Sequence, residues 1–392
     1  MNEDAHAHKP YKTLAMMHVF NDGYAASFLL LLPFIARSLH LNLTEVGVLG
    51  GVINFAALVV ALPISYVAAR LGGLRIVIIA QLLYGLALAG LSFAGNFGTL
   101  LVAFVLAGLG FGVFHPIAFA LIARWTPKEK RGRAIGTFTA IGDLGRIGIA
   151  AAVSFIAVRI GWGNTALLYA TVPIVISGVL IFGRWRARGS VSAPPHHANV
   201  VSMREVLKNV RLIAALAASW FDTFASKALF VFLPFLLLHH GVSATLLGAY
   251  TGIFFVGNFL GKFFMGRLVD RVGNVQVFIS AEILMAVLIV VLALFHQPVV
   301  ITIAALLLGT VTKGTTPVRQ TMISEASERH GAFEKSFGVS AVVEGSGDLV
   351  APIVLGVVGQ HYGIVSAFWV MAGVALLATI PAAIFHSRRA TN

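Results

Sequence analysis

The chain has 392 residues, of which 11% are Asp, Glu, Lys or Arg and 58% are hydrophobic, with a mean hydropathy of +0.90. A soluble protein of this length needs about a quarter of its residues charged to cover itself, so a water-soluble globular fold is excluded and the solvent is lipid. The formal charge of +13 would raise nucleic acid as a partner only on a soluble surface, and the absence of cysteine removes disulfides, thiolate catalysis and cysteine-based metal sites.

Apolar runs recur at 13–36, 44–68, 75–95, 99–123, 134–158, 164–183, 211–238, 244–268, 275–295, 299–323, 334–359 and 364–386. Each is long enough to cross a hydrocarbon core of about 30 Å as a helix. The expected fold is an all-α membrane protein of twelve transmembrane helices in two six-helix bundles. The first run carries His18 and Asp22 and lacks a small-residue cleavage site, so it is expected to remain in the mature chain.

An ionisable side chain in the hydrocarbon region costs about 2.5–3.5 kcal/mol on insertion scales, which makes each a functional candidate. Span 1 offers His18 and Asp22, four residues apart and so on one helix face, where they can exchange a proton. Span 4 holds His115; its Gly108, Gly110 and Gly112 lie mid-span and read as packing residues rather than a phosphate loop. In span 5, Asp143 and Arg146 are three apart, with Gly142, Gly145 and Gly148 on the same stripe, the pattern of close helix packing beside a neutralised pair.

After span 6 the stretch Arg184–Arg211, with Pro194, Pro195, His196 and His197, is the least hydrophobic interior segment. It divides the chain into a first bundle at 1–190, a linker at 191–210 and a second bundle at 211–392. Span 7 then carries Asp222 and Lys227, span 10 Lys313 and Arg319, and span 11 Glu344 and Asp348, like charges four apart that suit a carboxyl taking and releasing a proton. Spans 3, 6 and 12 carry no such residues, and Glu282 is the exception in span 9. Arg319 and Lys262, nearer the span ends, are expected to snorkel toward headgroups.

Counted from the cytoplasmic ends, Asp22, His115, Asp143, Asp222, Lys313 and Glu344 come about nine to eleven residues in, roughly 13–17 Å deep at the helical rise. They form a polar belt near the bilayer centre. Within it His18, Asp22, Glu344 and Asp348 are the proton-coupling candidates, and His115, Asp143, Arg146, Asp222, Lys227 and Lys313 the substrate-binding ones.

Of the 28 Lys and Arg residues, five fall inside spans (Arg146, Lys227, Lys262, Lys313, Arg319) and two in loops on one face (Arg37, Arg159); the other 21 share the opposite face. The positive-inside rule places that face, both termini and the linker in the cytoplasm of a cell whose inner membrane the chain spans.

One gapless offset of 201 residues relates the halves: Pro33 to Pro234, Thr44 to Thr245, Gly47 to Gly248, Arg70 to Arg271, Gly72 to Gly273, Gly108 to Gly309, Pro116 to Pro317 and Asp143 to Glu344. Two such repeats are the architecture of alternating-access carriers. The expected partners are a small-molecule substrate, protons and the bilayer, with no nucleic acid, no resident metal or cofactor and no catalysis, and the chain is expected to be a monomer. A divalent-metal or small-metabolite carrier is the alternative, since His18, Asp22, His115 and Asp222 are suitable metal donors; Arg146, Lys227 and Lys313 speak against a cation.

The segment Gly266-Arg267-Leu268-Val269-Asp270-Arg271-Val272-Gly273 resembles the G-x-L-x-D-R-x-G loop signature of the major facilitator superfamily, and the first-half copy, Ser65 to Gly72, has Ala69 where the acid belongs. The resemblance implies a gate built from Asp270 and Arg271, with Arg70 lacking its acid partner. His18-Val19-Phe20-Asn21-Asp22 and Gly110-Phe111-Gly112-Val113-Phe114-His115-Pro116 resemble segments of fosmidomycin-resistance-type efflux proteins. That resemblance adds Asn21 to the substrate-binding candidates and implies proton-driven export of a small drug or anionic metabolite. The Arg that many drug/proton antiporters carry in span 4 is Phe104 here, so coupling through that Arg does not carry over.

Overall fold

The computed structural model describes residues 3–61, 63–126, 131–184, 208–327 and 333–387; His196, His197 and the rest of the expected linker up to residue 207 lie outside the described residues. Among the described residues there is no strand. Twelve helices are long and apolar enough to cross a membrane: Tyr11–Leu39, Leu43–Ala61, Gly73–Ser92, Phe97–Ile122, Thr137–Ile160, Trp162–Phe182, Val210–His239, Ala244–Val269, Asn274–Leu294, Pro298–Ser327, Ser336–Tyr362 and Ile364–Ser387. These are spans 1 to 12.

The run expected at 44–68 is broken. Its helix stops at Ala61 and a short helix, Ile64–Leu71, restarts behind Pro63, whose ring removes an N–H and clashes with the preceding turn. Elsewhere proline sits inside helices without ending them, as at Pro116, Pro234 and Pro317. Span 4 starts on a reciprocal cap: Asn96 Oδ1 accepts from Thr99 N at 3.0 Å, while Asn96 N donates to Thr99 Oγ1 at 3.2 Å.

The repeat is visible in the backbone. Spans 3 and 9 start at Gly73 and Asn274, each behind a glycine of positive φ, Gly72 at 91° and Gly273 at 99°. The turn after span 1 is held by His40 at φ 54° and the turn after span 7 by Gly241 at φ 80°, again 201 positions on. Helix contacts recur in the same frame: Gly108 lies against the Ile53 carbonyl in the first half and Gly309 against the Phe254 carbonyl in the second, where a Cβ would collide with backbone.

In the first half, span 1 packs on span 5 and span 3 packs on spans 4 and 6; in the second, span 7 packs on spans 11 and 12 and span 9 on spans 10 and 12. Buried apolar cores lie around Leu14, Met17, Phe114 and Phe138 in the first, and around Leu212, Phe278, Met322 and Phe385 in the second. Outward-facing residues such as Val179, Phe182, Val287 and Ile303 are exposed and apolar, as a lipid-facing surface requires. The chain forms two compact units, one of 1–41, 52–195 and 243–252, the other of 42–51, 196–242 and 253–392.

Candidate functional site

In the N-terminal half, spans 1, 4 and 5 bring His18, Asn21, Asp22, His115, Asp143 and Arg146 together. Asp22 is 2% exposed and stands at the centre. Arg146 Nη2 lies 2.8 Å from Asp22 Oδ2, and its Nη1 lies 2.9 Å from Asp143 Oδ1. Asp22 Oδ1 is 3.2 Å from His115 Nε2 and accepts from Asn21 Nδ2 at 3.2 Å. The Asp143 and Arg146 pair is therefore also a bridge between spans 5 and 1.

The His18 ring is fixed from three sides. It stacks on Phe138 at 4.1 Å between centroids and on Phe114 at 5.6 Å. Its Nδ1 lies 2.9 Å from the Phe138 carbonyl oxygen, which can only accept, so Nδ1 carries the hydrogen. In the neutral ring Nε2 is then a lone pair, facing His115 Nε2 at 3.3 Å and Asp22 Oδ2 at 3.5 Å. This is the arrangement of a proton acceptor: a proton on His18 Nε2 would meet a carboxylate and a second imidazole already in place.

Room for that ring comes from span 5. A Cβ on Gly142 would lie 2.5 Å from His18 Cε1 and 2.8 Å from Asp22 Oδ2, and one on Gly145 would collide with the Val19 carbonyl. Gly148, on the same stripe, has open space in front of it.

In the C-terminal half the centre is Arg319. The expectation that it snorkels to headgroups is overturned: it is 7% exposed, 2.8 Å from Asp222 Oδ2 through Nε and 3.4 Å from Glu344 Oε2 through Nη1, and it donates to Thr223 Oγ1 at 2.8 Å and the Ser219 carbonyl at 3.2 Å. Two acids hold it inside the bundle. Asp222 Oδ1 accepts from Thr315 Oγ1 at 3.0 Å, and Glu344 Oε1 from Ser340 Oγ at 2.9 Å.

Glu344 and Asp348 have separate cations: Lys227 Nζ lies 2.9 Å from Asp348 Oδ2. Lys313 Nζ lies 5.3 Å from the Phe230 ring centroid, within cation–π range. Glu282 of span 9 is fully buried, and neither carboxyl oxygen meets a hydrogen-bond donor among the described residues. Of the gating candidates, Arg70 and Arg271 are exposed at helix ends, and the Asp270 side chain lies outside the described residues.

Sequence reasoning missed the place of Arg319 in the site, Thr315 and the space-making role of Gly142. The acid frame was visible, because Asp143 and Glu344 are equivalent by the 201-residue offset and each meets an arginine. The Asp143–Arg146 pair was visible too, three residues apart on span 5, whereas the place of Arg319, which comes from span 10, was not.

A duplicated bundle of twelve membrane helices with charges paired inside each half is the build of a transporter. The sequence profile of the Major Facilitator Superfamily matches residues 14–234 and 215–392. The chain belongs to that superfamily, so it is a multi-pass membrane transporter and not an enzyme. It is 27% identical over 373 residues to "Multidrug resistance protein MdtG" of Escherichia coli strain SMS-3-5 / SECEC, covering 90% of this chain and 88% of that protein, and equally to MdtG of strain K12 / DH10B. In fold it is similar to a point mutant of the nucleoside transporter NupG, at TM-score 0.82 and 12% identity over 96% of this chain and 100% of that one. It is also similar to a bacterial homolog of the human lysosomal transporter Spinster, at TM-score 0.72 and 15% identity over 97% and 96% of the two chains.

Proposed function

We propose that this protein is a proton-coupled exporter of small drug-like or anionic organic compounds, working by alternating access in the cell inner membrane with both termini cytoplasmic. The observation that supports the coupling is the lone pair of His18 Nε2 aimed at Asp22 and His115. The relation to proteins named for multidrug resistance supports export. Twenty-one basic residues on one face support the orientation.

The cluster couples by competition for Asp22. A substrate donor group that needs the Asp22 carboxylate cannot bind while a proton occupies it, so proton entry from the more acidic side expels the substrate. Lys313 and Lys227 are the cations an anionic substrate would use.

The test is flux in proteoliposomes with an imposed pH gradient, against panels of lipophilic drugs and organic anions. Uptake into acidic-inside vesicles that collapses with a protonophore is the expected result. Flux indifferent to the gradient for every compound would remove the coupling.

A carrier of divalent metal is the second reading, favoured by one observation: ligand atoms of His18, Asp22 and His115 all lie within 4.8 Å of one another. Arg146 at 2.8 Å from Asp22 opposes it. Metal flux that survives in the wild type and vanishes in His115→Ala would favour this reading over the first.

A further inference from the structure

Three histidines that the transport reading does not use meet at helix ends of the C-terminal half. His239 closes the last turn of span 7, His240 caps it, and His296 lies in the short connection between spans 9 and 10. The His240 ring stands 5.1 Å from that of His296 and 5.7 Å from that of His239, centroid to centroid. His239 and His296 are exposed and His240 is half-buried. In the proposed orientation these ends face the outside of the cell, opposite the basic face.

The His240 ring is already held as a ligand would be. Its Nε2 lies 2.8 Å from the Leu292 carbonyl oxygen, which can only accept, so Nε2 carries the hydrogen and Nδ1 keeps the lone pair of the neutral ring. A carbonyl that fixes the tautomer at one ring nitrogen while the other stays free is the arrangement of metal-bound imidazoles. Leu292 precedes His296 by four residues, so the end of span 9 positions one ring and carries the other.

The spacing fits an ion between them. With nitrogen about 2.0–2.1 Å from zinc, each ring centroid lies about 3.2 Å from the ion, and two centroids in tetrahedral directions lie about 5.2 Å apart. The 5.1 Å between His240 and His296 matches that value. Among the described residues only His18, Asp22 and His115 already bring three ligand atoms within 4.8 Å of one another. As it stands, therefore, this is a site of two imidazoles, which His239 joins by rotation of an exposed side chain. Imidazole donors select zinc, copper and nickel over calcium and magnesium.

The repeat gives an independent observation. In the 201-residue frame His239, His240 and His296 fall on Ser38, Leu39 and Gly95. The first half closes the same turns without imidazoles, so the cluster is an addition of the second half and not a requirement of the shared scaffold.

We propose that His240 and His296, with His239 as a third donor, bind one divalent transition-metal ion of zinc type, tying the turn after span 7 to the connection between spans 9 and 10. The site is separate from His18, Asp22 and His115 and does not depend on what the protein carries.

The experiment is isothermal titration of zinc chloride into the untagged full chain in lipid nanodiscs at mildly alkaline pH. His240→Gln and His296→Gln should each remove one zinc equivalent or weaken it at least about tenfold, the loss that even an outer-shell partner causes. His115→Ala, in the buried cluster, should leave that equivalent in place. Zinc should also raise the Tm of the wild type and of His115→Ala but not of His296→Gln, since an ion held only by the folded state stabilises it. His296 is exposed, so its substitution leaves the fold intact, and the Tm without zinc checks this. Wild-type stoichiometry and affinity in His296→Gln would overturn the proposal. Loss of all zinc binding in His115→Ala would overturn it as well, and would instead support the metal-carrier reading.

Discussion

Gly142 faces His18 so closely that a Cβ built on it would lie 2.5 Å from the ring's Cε1 and 2.6 Å from Nε2. The obstacle is a ring stacked on Phe138 and tied to its carbonyl, which cannot step aside cheaply. Gly142→Ala is expected to cost about 1–3 kcal/mol through overpacking and to displace the imidazole from Asp22. Thermal unfolding in detergent and gradient-driven flux should both fall, while Gly148→Ala, with open space in front of it, should leave both unchanged.

Neutralising Asp22 should stop gradient-driven flux, and a substrate that binds through the Asp22 carboxylate should lose exchange as well, whereas one that does not use it should keep exchange. Glu344→Gln is expected to behave alike if the C-terminal half takes part in coupling. Concentrative uptake persisting in both variants would end the coupling assignment. Flux and exchange measured in the same vesicle preparation decide it.

Arg146 and Asp22 should differ in what their loss does to stability. Asp22→Asn leaves Arg146 with Asp143 at 2.9 Å, whereas Arg146→Gln leaves two buried acids without their cation. Removing one partner of a buried pair costs about 3–5 kcal/mol, and the larger share should fall on Arg146→Gln. The order of unfolding temperatures, wild type above Asp22→Asn above Arg146→Gln, is the check.

Lys313→Gln should weaken binding of an anionic substrate and matter little to a neutral one, because only the anion gains from a positive charge in a low-dielectric interior. Tryptophan quenching or isothermal titration with one ligand of each kind reads the difference. Equal losses for both would place the effect in folding.

Outside the spans, His240 provides a pH response. Burial holds its proton affinity below the ordinary value of 6.5, with His296 and His239 adding repulsion and the Leu292 carbonyl, 2.8 Å from Nε2, partly offsetting it. The folded turn therefore prefers the neutral ring. Its stabilising contribution is complete above 6.5 and is lost as pH falls through the lowered value of the folded state. Protection factors for hydrogen exchange at 241–243, taken relative to the intrinsic exchange rate at each pH, should fall on acidification, and His240→Gln should flatten that response.

The spans and the repeat could be read from the sequence, because lipid demands long apolar runs and the turn glycines recur at one offset. The break at Pro63 was hidden inside a run that remains hydrophobic across it. The acids of the polar belt were visible, as were the pairs His18 with Asp22 and Asp143 with Arg146 along single helices, but partners on other spans were not. Lys227 could have faced any inward residue, and only the packing of span 7 on span 11 sets it beside Asp348. Arg319 was misread because depth along a helix says nothing about which face it occupies, and its face turns toward Asp222.

His40 has a further consequence for anyone wishing to stabilise this chain. It is the sole non-glycine residue of positive φ among those described, and its repeat twin is Gly241. A side chain in left-handed backbone costs about 1–2 kcal/mol, against about 0.5–1 kcal/mol of extra chain entropy that glycine loses on folding. His40→Gly should therefore yield a modest net gain, up to about 1 kcal/mol, at an exposed turn remote in sequence from every proposed transport residue except those of span 1. The second repeat contains the thermostabilising substitution for the first.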